Sequence, residues 1–306
     1  MAWTSGTASN YQDLLARLRS FVTTEMTPAE QRWQELRWSI SQSEQELILK
    51  GPGLAASDEI YVGIQTFSDK SNSTYNWSLQ GYIGYQPAND FATQPGAIQG
   101  SNPKLALWNT AIPYWIVANG RRIILVAKIT TNYEALYLGL IRPYATPGQY
   151  PYPLLVGGSL TGKRGLSYSL LSPDHRHFTD PGEEYETNNT ACMLRSASGQ
   201  WLSFQNVMYA EESRQFLKQQ VWPTCYDYLH TLREAPDGTY PLTPLVLTAQ
   251  DGAGRQNLFG ELDGCFQVSG FGNAAENLIH AGGVDHLVVQ NVYRTSVRDY
   301  WALRLE

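Results

Sequence analysis

The segment "IVANGRRIILVAKI", residues 116–129, decides the fold class of this chain. It places Asn119-Gly120 between two apolar runs, which is the strongest short-range signal of a β-hairpin. The faces of its second strand are Ile123, Leu125 and Ala127 on one side and Ile124, Val126 and Lys128 on the other. Both faces are apolar until Lys128, so we expect this strand to be buried on both faces, as in the core of a sandwich.

The residues around this hairpin have the same β texture. Short β-branched and aromatic runs lie at residues 59–67, 75–85, 135–141 and 299–306, separated by turn-rich segments. The chain has 306 residues, 19 tyrosines and 9 tryptophans, and 16% of its residues are charged. Low charge with many aromatics argues against a disordered chain and favours a pleated, half-buried surface. We therefore predict a mainly β fold of sandwich-like antiparallel sheets, with the last strand paired into a sheet.

The N-terminal residues predict helices instead. Residues 10–25 carry leucines at helical spacing after Asn10, a good N-cap. In residues 27–38, Thr27, Pro28 and Glu30 match a capping box with proline at the first helical position. We therefore predict an N-terminal helical hairpin, which either packs on its own β domain or docks as an arm on a neighbouring subunit.

This pattern divides the chain into two parts. We expect residues 1–44 to form an N-terminal helical arm and residues 45–306 a β-rich domain, which could divide further into 45–160 and 161–306. Residues 160–190 are polar and rich in turns, so we expect a surface excursion or an irregular insertion there.

Charge and cysteine usage limit the function classes. The net charge is −6 and no long basic run occurs, which argues against a nucleic-acid partner. The three cysteines (Cys192, Cys225 and Cys265) are widely spaced, which predicts buried free thiols in a reducing compartment. The first residues do not match a signal peptide, and no apolar run is long enough for a transmembrane helix, so we expect a soluble chain made in the cytoplasm.

Two groups of residues could form a metal site or a catalytic site, but for each we favour a purely structural role. His175 and His177 with Asp180 resemble a zinc pair, but no third ligand stands at the required spacing, so we expect a solvated polar loop. Glu261 and Asp263 share a strand face and could act as paired carboxylates of a glycan hydrolase, although the following glycine is also ordinary turn chemistry. We predict no enzyme, no metal and no cofactor.

The segment "RPYATPGQYPYPLLVGGS", residues 142–159, combines four prolines with three tyrosines. Its prolines fix φ and remove backbone donors, so the segment cannot extend a sheet continuously. Pro147-Gly148 predicts a turn, and Tyr150 and Tyr152 would project to the same side of an extended chain. We expect a stiff loop that serves as a fixed contact or a packing edge.

Three strings together resemble a family. The sequences at residues 58–85, at 105–159 and at 290–306 are similar to a virion structural protein of tailed bacteriophages. The resemblance covers roughly residues 45–160 and 255–306 and implies assembly of many copies by protein–protein contacts, with the tail tip or baseplate as first choice and the neck or head surface as second. It transfers no catalytic motif.

This resemblance implies partners and a location. The partners would be other virion proteins and copies of the chain in a ring, without nucleic acid or membrane, in a virion made in the host cytoplasm. The candidate protein contacts are Leu14, Leu18, Trp33, Trp77, Tyr144, Tyr150, Tyr152 and Trp301. The alternative is a carbohydrate-binding module that recognises the host surface through aromatic loops that include Trp77, Tyr150 and Tyr152.

Overall fold

The computed structural model describes residues 2–41, 44–55, 58–160, 175–179, 191–203, 219–222, 238–250, 256–292, 296–297 and 299–306. The described residues form three antiparallel β-sheets and one α-helix, α1 (Tyr11–Ser20), which continues as a π-helical turn through Glu25. The prediction of a mainly β fold with sandwich-like antiparallel sheets is confirmed.

The three sheets differ in how closely their spatial order follows the chain. From edge to edge, sheet one contains β1 (Ala2–Ala8), β7 (Ile112–Ala118), β8 (Arg122–Ile129), β9 (Asn132–Leu140), β11 (Leu154–Gly157), β12 (Cys192–Arg195) and β13 (Trp201–Ser203). Sheet two contains β14 (Gln219–Trp222), β15 (Thr243–Gln250), β16 (Gln256–Gln267), β19 (Tyr300–Arg304), β18 (Val284–Gln290) and β17 (Leu278–Ala281), and β10 (Arg142–Pro143) pairs with β16. Sheet three keeps the chain order and contains β2 (Gln34–Ser41), β3 (Glu44–Gly51), β4 (Ile60–Asp69), β5 (Thr74–Tyr82) and β6 (Lys104–Leu105).

Sheet one is the middle layer of the molecule. On one face, Ile123, Leu125 and Ala127 join the core that sheet three and α1 complete, which we call the first core. On the other face, Ile124 and Val126 join a second core completed by sheet two. The β7–β8 hairpin and the burial of β8 on both faces are therefore as predicted.

The predicted helical hairpin is wrong in its second half. Residues 34–41 form β2, which pairs with β3, and only a single 3₁₀ turn (Ala29–Gln31) follows the cis Thr27–Pro28 peptide. The apolar spacing of Trp33 and Leu36 suited a helix, but the two side chains enter different clusters in an extended chain. Cross-strand pairing overrode the local helix signals in this segment.

The N-terminal residues are not a separate arm. Strand β1 pairs along its whole length with β7 in the middle sheet. Helix α1 begins as predicted after Asn10, whose side chain accepts from the N–H groups of Gln12 and Asp13. Its apolar face lies in the first core. Strand pairing between β11 and β12 also crosses the boundary suggested near residue 160.

Close backbone contacts hold the β7–β8 turn. The Asn119 side chain accepts from the N–H groups of Arg121 and Arg122, and its backbone carbonyl accepts from Trp33 Nε1 at 2.8 Å. A Cβ on Gly120 would lie 1.9 Å from the carbonyl oxygen of Gly53, so only glycine fits there. The turn therefore docks on the start of sheet three.

Within the described residues, no helix has both the length and the apolar character needed to cross a membrane.

Candidate functional site

The loop at residues 143–153 lies where all three sheets meet. Its Pro147-Gly148 turn is closed by the N–H groups of Gln149 and Tyr150, which both donate to the Thr146 carbonyl at 2.9 Å. The three tyrosines of the loop each contact a different part of the sandwich. The loop is thus a packing edge, as the sequence predicted.

Tyr152 fastens the loop to sheet three. Its hydroxyl donates to the carbonyl of Glu59 at 2.7 Å and accepts from the N–H of Tyr61 at 3.1 Å. The Arg195 guanidinium lies 5.2 Å from the centre of its ring. Burial raises the pKa of this phenol, which therefore stays protonated.

Tyr150 fastens the loop to sheets one and two. Its hydroxyl donates to the carbonyl of Arg195, and its ring lies 5.9 Å from the ring of Phe259. Only 4% of Tyr150 is exposed. Tyr150 and Tyr152 therefore converge on Arg195, and the buried Tyr150 ring is not free to stack on a sugar.

Tyr144 begins the loop beside a group of charged residues. Its hydroxyl donates to Glu261 at 2.9 Å. Asp263 accepts from Arg122 Nε and from Arg142 Nη2, each at 2.9 Å. We call these five residues the seam cluster, because they join β8 of sheet one to β10 and β16 of sheet two.

The two carboxylates considered for acid–base chemistry, Glu261 and Asp263, both accept hydrogen bonds within the seam cluster. Burial alone would raise the pKa of Asp263, but the charges of Arg122 and Arg142 outweigh it and lower that pKa below its ordinary value. The Arg122 side chain has no exposed surface. This arrangement keeps Asp263 ionised and suits an internal ion pair.

A second polar cluster is buried on the face of sheet one that packs against sheet three, because Glu134 of β9 lies on the same strand face as Leu136 and Leu138. His175 Nε2 lies 2.8 Å from Glu134 Oε1, and the Ser159 hydroxyl donates to the same carboxylate. All three residues are fully buried. A serine nucleophile would need its hydroxyl on the imidazole, whereas in this cluster both groups contact the glutamate, so the cluster cross-links the fold.

His177 has a different environment from His175. Trp301 Nε1 donates to His177 Nδ1 at 2.8 Å, so Nδ1 carries no proton. His177 Nε2 lies 2.6 Å from the carbonyl of Tyr133, to which it donates. The hydrogen bonds therefore define a neutral imidazole with its proton on Nε2.

The solvated polar loop expected for these histidines is wrong. His175 and His177 contact different partners, and both are fully buried. Among the residues that the structure describes, no group of three or more His, Cys, Asp or Glu is arranged to hold a metal. Most of residues 160–190, Asp180 among them, lie outside the described residues, so the excursion expected there stays a prediction.

Most of the predicted contact residues are buried inside the chain itself. Each of the following is at most 4% exposed: Leu14, Leu18, Trp33, Trp77, Tyr150 and Trp301. Tyr152 is partly buried, and Tyr144 is 50% exposed. The six buried side chains therefore fill cores and do not line a contact surface, because a folded chain uses its large aromatics first to close its own layers.

Apart from Tyr144, the large exposed apolar side chains of the described residues lie elsewhere. They are Trp3, Ile40, Leu54, Ile83, Leu258 and Leu278. Trp3 belongs to β1, a strand that sequence reasoning missed because "AWTSGTA" has small residues and no β-branched run. Burial in β1 alternates, with Trp3 and Ser5 exposed and Ala2 and Thr4 half-buried, but no alternation of apolar and polar residues in the sequence marks it.

Comparison with known proteins adds no relative. No family model matches the chain, and no curated protein matches its sequence.

Proposed function

We propose that this chain is a structural subunit of a tailed-phage virion, assembled by protein–protein contacts and most readily placed in the tail tip or baseplate. The observation that carries the proposal is how the chain uses its reactive side chains. Glu134, His175 and Asp263 are engaged in internal cross-links, while apolar side chains such as Trp3 and Ile40 remain at the surface. Such a distribution suits a protein that works through its surfaces.

The phage assignment itself is supported by the sequence resemblance at residues 45–160 and 255–306. The neck or head surface is the alternative position in the particle. The proposed glycan-binding alternative loses two of its candidate rings, because Trp77 and Tyr150 are buried.

Two measurements test the proposal. We expect mass spectrometry of purified virions to detect peptides of this chain in stoichiometric amounts, and light scattering to show that the isolated chain associates with itself or with another virion protein. A chain that is absent from the particles and strictly monomeric contradicts the proposal. Cleavage of a host polysaccharide by the isolated chain would instead indicate an enzyme.

A further inference from the structure

We propose that β1 is a docking edge that pairs antiparallel with β1 of a second copy of this chain. Strand β1 lies at the end of sheet one, and among the described residues β7 is the strand that pairs with it. The outer backbone groups of such a strand are a ready template for another strand. This inference concerns the chain itself and does not rest on the proposed place in a virion.

The edge of β1 lacks the protection that natural edge strands carry. Short length, charged side chains, prolines and bulges are the usual ways in which a protein blocks edge pairing. Strand β1 has seven residues, no charge and no proline, and its register with β7 is unbroken from Ala2 to Ala8. Nothing in the strand itself opposes pairing.

The other described sheet edges are protected. Strand β2 carries Glu35 and Arg37 and has a register shift between them. Strand β6 has two residues, β13 has three, and β14 and β17 have four each. Strand β1 is therefore the described edge best suited to strand addition.

The surface of β1 fits a second copy of itself. Trp3, Ser5, Gly6 and Thr7 are exposed, so small side chains allow close approach along most of the strand. A two-fold axis at Ser5 would place Trp3 of one copy opposite Thr7 of the other. Because the strand is uncharged, this symmetry brings no like charges together, and it covers the exposed indole.

Charge substitution at the axis tests the pairing. We expect the wild-type chain to dimerise in sedimentation experiments, and Ser5→Lys to weaken the dimer by about fivefold or more, because two lysines would meet across the axis. Ser39→Lys is the matched control, since it places the same side chain at an exposed position on the protected edge β2. We expect that control to dimerise like the wild type.

A charge-swap experiment identifies the partner as a second copy in this register. Mixing Ser5→Lys with Ser5→Glu should restore association, because opposite charges then face each other. Circular dichroism should show the wild-type fold in every variant. A wild-type chain that stays monomeric at high concentration overturns the proposal, and so does a dimer that Ser5→Lys leaves unchanged.

Discussion

Arg122 places a charged side chain where solvent does not reach, and its ion pair with Asp263 ties sheet one to sheet two. A Cβ on Gly264 would lie 2.4 Å from Arg122 Nη2, so the chain also leaves space for the guanidinium. A buried pair of this kind contributes little net stability, but removing one partner is costly because the other charge is left buried. At the scale of the residue, this buried ion pair therefore specifies how sheet one packs on sheet two more than it adds to stability.

We predict that Asp263→Asn lowers the free energy of unfolding by about 3–5 kcal/mol, because it leaves the Arg122 charge without its buried counter-ion. Urea denaturation measures the change. Asp285→Asn is the control, since that carboxylate pairs with His280 on the surface, and its loss should cost less than about 1 kcal/mol. Equal losses in the two variants would contradict the role assigned to the seam cluster.

His286 should make stability dependent on pH. Burial lowers the pKa of His286 below its ordinary value of 6.5, although hydrogen bonds with the backbone of Ile279 and Val284 act in the opposite direction. The unfolded chain therefore binds this proton at higher pH than the folded chain. The stabilisation is complete above pH 6.5 and is lost as the pH falls through the lower, folded-state pKa.

We expect the unfolding free energy of His286→Gln to fall less than that of the wild type between about pH 7 and about pH 5. His280→Gln removes an imidazole from an exposed position and is the matched control. It should keep the wild-type slope. If His286→Gln also keeps that slope, this histidine does not contribute to the acid sensitivity of the fold.

At the scale of the element, the loop at residues 143–153 acts as a clamp. Tyr144 contacts sheet two, Tyr150 contacts sheets one and two, and Tyr152 contacts sheet three. Backbone pairing with β16 ends after Tyr144, and the prolines that follow supply no N–H donor, so side chains make most of the later connections. The alternation of tyrosine and proline in the sequence predicted a stiff loop. It did not predict the partner of each tyrosine, because those partners lie far away along the chain.

We predict that Tyr152→Phe destabilises the protein by about 0.5–1.5 kcal/mol, because the Glu59 carbonyl and the Tyr61 N–H lose a partly buried hydrogen-bond partner. Tyr144→Phe removes the same atom from an exposed site in the same loop and should cost about 0.5 kcal/mol or less. Guanidinium denaturation compares the two. A larger loss of unfolding free energy for Tyr144→Phe would show that the Tyr144 contact, and not the Tyr152 contact, holds the loop in place.

At the scale of the whole molecule, one sheet serves two cores. Strand β8 contributes alternate residues to the first and second cores, so it belongs to both. Cys192 and Cys265 lie in the second core as free thiols, as the sequence predicted for them, while Cys225 lies outside the described residues. Chemical labelling of these two thiols therefore measures when the second core becomes exposed to solvent.

We predict that Leu125→Ala, a change in the first core, exposes the thiols of the second core at lower denaturant. The free energy of unfolding should fall by about 2–5 kcal/mol, with labelling of Cys192 and Cys265 following the loss of β circular dichroism. A Cys225→Ser background restricts the labelling to those two thiols. Thiol exposure that keeps its wild-type midpoint would show that the two cores unfold separately.

The sequence by itself determined the β character of the chain, the β7–β8 hairpin, the burial of β8 on both faces and the start of α1. These features depend on periodicity, turn residues and capping, which act over a few neighbouring positions. Only the tertiary structure decided that residues 34–41 are a strand, that β1 joins the middle sheet, and that Trp33, Trp77 and Trp301 are core residues. Strand pairing and layer packing join residues far apart in the chain, as between Trp301 and His177, and no local pattern encodes such partners.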